Sequence, residues 1–194
     1  MTDNLSVDPK TSALLVMDFQ AAIVEGFAAD NDALLARTAS LIDVARRAGM
    51  KVIYVVVGFR PGYPEVSPRN QSFGAIRQTS RFLEGAAGTE VHAAVAPKPG
   101  EVVVTKHRVS ALAGTDLDMI LRANGIETLV LAGIATSGVV LSTIRQAADA
   151  DYKVVVVADC CADRDAEVHR VLTEKVFPRQ ATVTTADMVA RALS

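Results

Sequence analysis

The sequence of 194 residues is poor in the residue types that mark several classes of function. It has no tryptophan, three histidines and two cysteines, and 5% of its residues are aromatic. The cysteines, Cys160 and Cys161, are adjacent, and a disulfide between neighbours is geometrically strained, so we expect neither a structural disulfide nor a redox pair. The histidines are scattered without metal-ligand spacing. The composition therefore predicts no bound metal and no cofactor.

An excess of charge and long apolar runs are also lacking. Lys and Arg number 20 against 22 Asp and Glu, which gives a net charge of −2 and a pI near 5.9. That balance provides no basic footprint for nucleic acid or for an anionic membrane. No apolar run approaches the ~20 residues of a membrane-spanning helix, and the first ten residues lack the profile of a signal peptide. We expect a cytoplasmic protein that binds neither nucleic acid nor membrane.

Six short runs rich in β-branched residues alternate with stretches of helical period. The runs are continuously apolar, which is typical of strands covered on both faces. They occupy residues 13–17, 51–57, 101–105, 128–132, 153–158 and 181–185. Strands alternating with helices predict βαβ units. We therefore expect an α/β fold with one domain over residues 1–194, whose doubly wound, mostly parallel six-stranded sheet has helices on both faces.

The alternation breaks once, between residues 58 and 101. This segment holds five of the seven prolines and six of the twelve glycines, with a short helix predicted around 72–84. Long irregular insertions in compact domains are more often functional than idle. The segment also follows the carboxyl end of a strand, where open parallel sheets bind ligands. We interpret residues 58–101 as a candidate lid and specificity region.

The residues that follow parallel strands meet at one edge of the sheet. Here they are Asp18, Gly58, Lys106, Gly133 and Asp159. Taken singly, Asp18 is explained as a turn or capping acid and Lys106 as a solvated lysine. Together, a carboxylate and an ammonium at one edge form a proton-transfer pair. We take Asp18 and Lys106 as the candidate catalytic residues.

The segment LAGIATSGVVLST, residues 131–143, runs from an apolar strand through a polar turn into a helical pattern. Such turns carry a nucleophile or bind an anion at a helix N-terminus. We expect Thr136, Ser137 and Gly138 to bind substrate, and the backbone N–H groups around residues 137–139 to bind its negative charge.

Residues 13–20 (ALLVMDFQ), 102–133 and 133–163 together resemble the isochorismatase-like family of hydrolases, which includes cysteine hydrolases of small amides. The resemblance runs from about residue 11 to the end of the chain. It implies a six-stranded parallel sheet, a small-molecule substrate, and assembly into a homodimer or homotetramer. It also marks the Ala135–Thr136 turn as a place where a cis peptide bond is common.

The resemblance implies an Asp–Lys–Cys triad whose cysteine position is held by valine in this chain. The aspartate maps onto Asp18, the lysine onto Lys106 and the cysteine onto Val139, so a covalent thioester route is closed. The isochorismatase branch has glycine there and hydrolyses a vinyl ether with the aspartate as acid and water as nucleophile. Ser137 and Ser142 are alternative nucleophiles, with capping or packing as the plainer reading.

Two further residues are predicted from the resemblance and from side-chain chemistry. Gln20 resembles a pocket-lining position, with a helix-start hydrogen bond as the alternative. Gly58 and Arg60 replace an Asp-x-His metal pair of nicotinamidase-like relatives, so that metal site is not expected. Arg60 becomes a candidate for binding a carboxylate, against the alternative of a solvent-facing arginine.

The sequence thus predicts a hydrolase of a small, anionic molecule that uses Asp18, Lys106 and water without a cysteine nucleophile. The alternative is a relative that has lost catalysis with the cysteine and serves as a ligand-binding or scaffold protein. The two readings differ in whether Asp18 and Lys106 meet in an open cavity beside Val139.

Overall fold

The sheet in the computed structural model, which describes residues 5–27 and 31–194, has six parallel strands in the order β3-β2-β1-β4-β5-β6. The strands are Ser12–Met17 (β1), Lys51–Val57 (β2), Val102–Lys106 (β3), Thr128–Ile134 (β4), Lys153–Ala162 (β5) and Thr182–Thr184 (β6). All neighbouring pairs are parallel. The predicted α/β fold is confirmed. The first four residues, on which the signal-peptide prediction partly rests, lie outside the described residues.

Helices cover both faces of the sheet. They are Ala21–Phe27 (α1), Asn31–Arg47 (α2), Gln71–Gln78 (α3), Leu117–Ala123 (α4), Leu141–Asp149 (α5), Ala166–Val171 (α6) and Ala186–Ala192 (α7). Side chains of α1, α2, α3 and α7 join the core on one face, and those of α4 and α5 join the core on the other. Among the described residues, no helix has the length and apolarity to cross a membrane.

The central strand β1 shows why its run is apolar at every position. Leu14 and Val16 lie in the core on one face, whereas Leu15 and Met17 lie in the core on the other. Successive side chains of a strand point to opposite faces, so a strand covered on both sides cannot alternate apolar with polar residues. All six residues of β1 are buried, and the strand delivers Asp18 to the carboxyl edge.

Two strands extend by two or more residues past their predicted carboxyl ends. β4 continues through Gly133 to Ile134, and β5 continues through Asp159 to Ala162. Gly133 and Asp159 therefore do not sit at the edge as predicted. The physical reason is an irregular register, because Leu131 pairs with Val156 whereas Gly133 already pairs with Cys161. Where strand pairing is bulged in this way, the end of the strand cannot be located from the length of its apolar run alone.

The segment 58–101 is largely irregular, as its proline and glycine content predicts. Its helix, α3, is shorter than the predicted 72–84, and residues 93–95 form a single 3₁₀ turn. Asn70 caps α3 by accepting a hydrogen bond from the Phe73 N–H at 3.0 Å. Gln20, which follows Asp18 by two residues, ties the segment down by donating to the Thr89 carbonyl at 2.7 Å. The insertion is thus held against the carboxyl edge of the sheet.

Candidate active site

The side chains of Asp18 and Lys106 meet at the carboxyl edge of the sheet. Asp18 follows β1 and has a left-handed backbone, with φ at 58°, a conformation that is uncommon outside glycine but tolerated by Asp. Lys106 ends β3. Its Nζ lies 2.9 Å from Asp18 Oδ2, and the two side chains are 3% and 8% exposed. Lys106 Nζ also donates to the Arg108 carbonyl at 3.1 Å, so the ammonium is held between two oxygens.

The second carboxyl oxygen of Asp18 is available for chemistry. Oδ1 is buried and has no hydrogen-bond partner among the described residues. Burial raises the pKa of Asp18 above its ordinary value of 3.8, and Lys106 opposes that rise without reversing it. Asp18 therefore keeps its proton to a higher pH than a free Asp does, while the conjugate carboxylate keeps a charged partner. These are the properties of a general acid.

The pair lies in a cavity of about 420 Å³, which is the size of a small-molecule site. The wall is mostly apolar, and its charged groups are Asp18, Lys106 and two arginines. The lining residues are Asp18, Ile23, Val57, Ser72, Phe73, Ile76, Arg81, Phe82, Lys106, Val109, Ile134, Ala135, Gly138, Val139 and Arg164. Val139 is 2% exposed and stands in the wall without closing the cavity.

The insertion contributes one side of the cavity through α3 and the turn that follows it. That turn is pinned to Phe59, whose N–H donates to the Phe82 carbonyl at 2.8 Å and whose carbonyl accepts from the Glu84 N–H at 2.9 Å. The Arg81 carbonyl accepts from Tyr63 Oη at 2.8 Å. The Arg81 guanidinium carbon lies 4.8 Å from the centroid of the Phe82 ring, within the range of a cation–π contact. The turn therefore presents an aromatic ring and a cation together.

The turn between β4 and α5 only partly matches its prediction. Residues 136–140 form a π-type turn, and Gly138 lines the cavity. Ser137 is exposed, and its N–H donates to Asp163 Oδ2 at 2.7 Å. The Gly138 N–H donates to the Ala135 carbonyl at 3.1 Å. These two N–H groups are occupied by the chain itself, so in this structure neither is free to bind an anion; the predicted backbone anion site around residues 137–139 stays a prediction.

Thr136 also departs from its predicted role. Its side chain is fully buried and is outside the set of described residues that line the cavity. Its Oγ1 lies 2.8 Å from His169 Nδ1, a contact that sequence spacing does not indicate. The cis peptide bond of this turn joins Ile134 to Ala135, one bond earlier than predicted, where β4 ends.

Gln20 and Arg60 are not placed to bind a ligand in this cavity. Gln20 is fully buried, and its amide is occupied on both sides: Nε2 donates to the Val57 carbonyl and Oε1 accepts from the Val57 N–H. Arg60 is 63% exposed and pairs with Glu65 at 2.7 Å. Both predictions of ligand contact are therefore corrected. Gln20 joins β2 to the insertion through hydrogen bonds, and Arg60 forms an ion pair with Glu65 at the surface. Gly58 packs against Thr105, where a Cβ would approach within 2.9 Å.

The two cysteines and the alternative serine nucleophiles lie outside the cavity wall. Cys160 and Cys161 are buried within β5, and burial raises the pKa of both thiols, that of Cys160 to about 12. Ser137 and Ser142 do not line the cavity either; among the described lining residues, the one hydroxyl is that of Ser72 on α3. The described residues also include no group of three or more His, Cys, Asp or Glu that could hold a metal ion.

Arg164 is a cavity residue that the sequence reasoning missed. It follows the end of β5 by two residues, and its Nε donates to the Gly26 carbonyl at 3.2 Å. Its place after a strand could have indicated this role, because residues that follow a parallel strand lie at the carboxyl edge of the sheet. The predicted end of β5 at residue 158 concealed it. Arg81 had no comparable signal, since its place depends on the fold of an irregular segment.

The site is thus a buried Asp–Lys pair that faces a cavity at the carboxyl edge of a parallel α/β sheet. The isochorismatase domain family matches residues 12–188, so the chain belongs to the isochorismatase family of hydrolases. The ureidoacrylate amidohydrolase RutB of Methylobacterium radiotolerans is 34% identical over 176 residues, covering 80% of this chain and 68% of that protein.

Solved structures of relatives agree with the fold. An isochorismatase family protein from Burkholderia thailandensis is 30% identical with a TM-score of 0.80, and 97% of each chain is covered. The N-carbamoylsarcosine amidase of Thermoplasma acidophilum is 33% identical with a TM-score of 0.75, covering 91% of this chain and 97% of that one. The chain is accordingly an enzyme of the hydrolase class.

Proposed function

We propose that this protein hydrolyses a small anionic molecule with Asp18 as general acid, Lys106 as its electrostatic partner and water as the nucleophile. The observation that carries the proposal is the Asp18–Lys106 pair, 2.9 Å apart and facing the cavity, with Asp18 Oδ1 unpartnered. Val139 supplies no nucleophilic atom, and the chemistry therefore proceeds without a covalent intermediate on the chain.

Hydrolysis of a vinyl ether is the reaction that best fits these groups. The Asp18 carboxyl transfers its proton to the terminal alkene carbon, and the electron pair of the double bond forms the new C–H bond. The resulting oxocarbenium ion is attacked by water, which returns a proton to the Asp18 carboxylate. The hemiketal then breaks the C–O bond to the former ether oxygen while its hydroxyl proton passes to that oxygen, which gives an alcohol and a ketone with one water consumed. The Lys106 ammonium stabilises the carboxylate between the two proton transfers.

Arg81 and Arg164 support an anionic substrate. Both line the cavity that holds Asp18, and guanidinium groups suit carboxylates because of their planar fork. Phe73 and Phe82 provide an apolar wall from the insertion. Residues 58–101 then determine which substrate the cavity accepts. The same segment acts as a lid over the cavity once the substrate has displaced water from it. Amide hydrolysis, the reaction in the names of two relatives, is the competing function to exclude.

The test is a panel of isochorismate, a simple anionic vinyl ether, its neutral methyl ester and small carbamoyl amides. We expect turnover of the anionic vinyl ethers and a KM that is about 10- to 100-fold higher for the ester, because a charge-assisted contact is worth ~1.5–3 kcal/mol. Arg164→Gln should raise the KM for the acid by a similar factor and leave the ester's KM within twofold.

Arg170→Gln provides the matched control, since Arg170 lies on the exposed face of α6 in ion pairs with Glu167 and Glu174. It should leave both KM values unchanged. Turnover confined to the amides contradicts the proposed reaction. Absence of turnover with retained binding of the acids assigns the chain to the non-catalytic ligand-binding alternative.

Val139→Cys places a thiol in the cavity wall where cysteine hydrolases of the family have theirs. We expect amide turnover that is at least about 100-fold below the vinyl ether turnover of the unchanged protein, because misplacement by about 1 Å costs that much. Val140→Cys is the control, since Val140 is fully buried in the core and outside the described cavity lining. Robust amide hydrolysis by Val139→Cys alone indicates instead that the site is otherwise a complete amidase.

A further inference from the structure

The segment after β5 contacts the turn before α5 through two side chains. Asp163 Oδ2 accepts from the Ser137 N–H at 2.7 Å, and His169 Nδ1 lies 2.8 Å from Thr136 Oγ1. The turn that receives these contacts carries Gly138 into the cavity wall one residue later. Two neighbouring residues of one turn are thus held by one segment, which restricts how the turn can move.

The same segment carries Arg164 into the cavity. Asp163 Oδ1 accepts from the Arg164 N–H at 2.9 Å, while its other oxygen binds the turn. Arg164 Nε reaches the Gly26 carbonyl on α1 at 3.2 Å. The backbone of Arg164 and the backbone of the cavity turn are therefore joined through a single carboxylate.

Thr136 and His169 can influence the cavity only through the backbone they hold. Thr136 is fully buried, and neither residue belongs to the described cavity lining. Burial lowers the pKa of His169, and the nearby Asp163 charge opposes that decrease. The neutral imidazole is therefore favoured, with one hydrogen between its Nδ1 and the Thr136 hydroxyl oxygen. Where the supported residue is a metal ligand, loss of a contact one step removed from the site alters affinity or activity by about 10- to 100-fold, and we take the lower end of that range for this contact.

We propose that His169 is a positioning residue, which through Thr136 holds the turn bearing Gly138 and Val139 in register with Arg164. The inference rests on the proposed function for its catalytic consequence, but the positioning itself is a property of the folded chain. It predicts that the shape of the anion-binding cavity depends on a hydrogen bond whose partners touch no ligand.

The experiment compares the binding of benzoate, an aromatic carboxylate probe, to matched variants by calorimetry. His169→Phe removes the hydrogen bond, whereas His169→Asn keeps a polar atom near the Nδ1 position. Thr136→Val removes the hydroxyl at nearly equal shape, and Thr136→Ser keeps it. We expect about tenfold weaker binding in His169→Phe and in Thr136→Val, and binding within twofold of the parent in His169→Asn and Thr136→Ser. The double variant that combines His169→Phe with Thr136→Val should show no further loss of affinity.

A second readout separates positioning from the proposed function. The backbone amide NMR signals of Gly138 and Val139 should shift in His169→Phe and Thr136→Val, and should return to the parent positions in His169→Asn and Thr136→Ser. Failure of benzoate to bind the parent protein counts against an anion site, while the amide signals still decide the positioning. Unchanged signals, or variants that lose only thermal stability while binding stays at the parent level, overturn the inference. Should His169→Phe fail to fold, the Thr136 pair makes the same comparison.

Discussion

Replacement of Asp18 by Asn is expected to reduce turnover of the anionic vinyl ether by about 10²- to 10⁴-fold, the usual contribution of a positioned acid. The amide keeps the shape of the carboxyl and an oxygen for Lys106, which lies 2.9 Å away in the parent protein. It has no proton to transfer to carbon. Steady-state kinetics should show the loss in kcat, with benzoate binding retained because the two cavity arginines are unchanged.

The same carboxyl sets the expected pH dependence. Burial raises the pKa of Asp18 above 3.8 despite Lys106, and the protonated acid is the active form. Turnover should therefore be highest below the raised pKa and should fall as the pH rises through it. Asp149→Asn, at an exposed position near the end of α5, should retain both rate and profile. A rate that increases with pH through that range contradicts the acid role and assigns Asp18 as a base.

Replacement of Lys106 by Met is expected to lower the free energy of unfolding by about 3 kcal/mol at neutral pH. Removal of one partner of a buried ion pair leaves the other charge uncompensated, and Lys106 is 3% exposed. For a chain of this length, that loss corresponds to a decrease in Tm of about 6–12 °C. Thermal unfolding followed by circular dichroism measures it, and Lys51→Met, at the exposed start of β2, should have little effect.

The destabilisation by Lys106→Met should be smaller in acid. Lys106 lowers the pKa of Asp18, so its removal lets the folded variant keep the Asp18 proton to higher pH than the unfolded chain does. Between the ordinary value and the raised one, the folded state binds more protons, and stability falls as the pH rises. Equal destabilisation at neutral pH and in mild acid would contradict a charged pair. Asp18→Asn combined with Lys106→Met should recover part of the neutral-pH loss.

Much of the fold could be predicted because its signals are local. The inner strands of a doubly wound sheet are covered on both faces, so runs such as residues 52–57 are apolar throughout. Gly49, two residues after the end of α2, has the left-handed backbone, with φ at 73°, that glycine commonly adopts where a helix ends. The ends of β4 and β5 were misplaced where the strand register becomes irregular. The register of a strand depends on its neighbour, so it cannot be predicted from the sequence of either strand alone.

The site was predictable only where a residue ends or follows a regular strand. Asp18 and Lys106 both meet that condition, and parallel topology brings the ends of β1 and β3 to one edge. Gln20 and Arg60 were predicted by residue type, but hydrogen bonds to Val57 and an ion pair with Glu65 place them elsewhere. Assembly into a homodimer or homotetramer and a cytoplasmic location stay predictions.

The sequence by itself determined the parallel sheet, the Asp18–Lys106 pair at its edge, and the presence of Val139 where a nucleophile is usual. The first two features follow from strand periodicity and residue identity, which are both local, whereas the position of Val139 is what the resemblance to the isochorismatase-like family implies. Only the tertiary structure decided that Arg81 and Arg164 join Lys106 as cations of the cavity. It also assigned Ser137 and Thr136 to partners 26 and 33 residues away. Contacts of that separation depend on how loops pack over the sheet, which no single segment specifies.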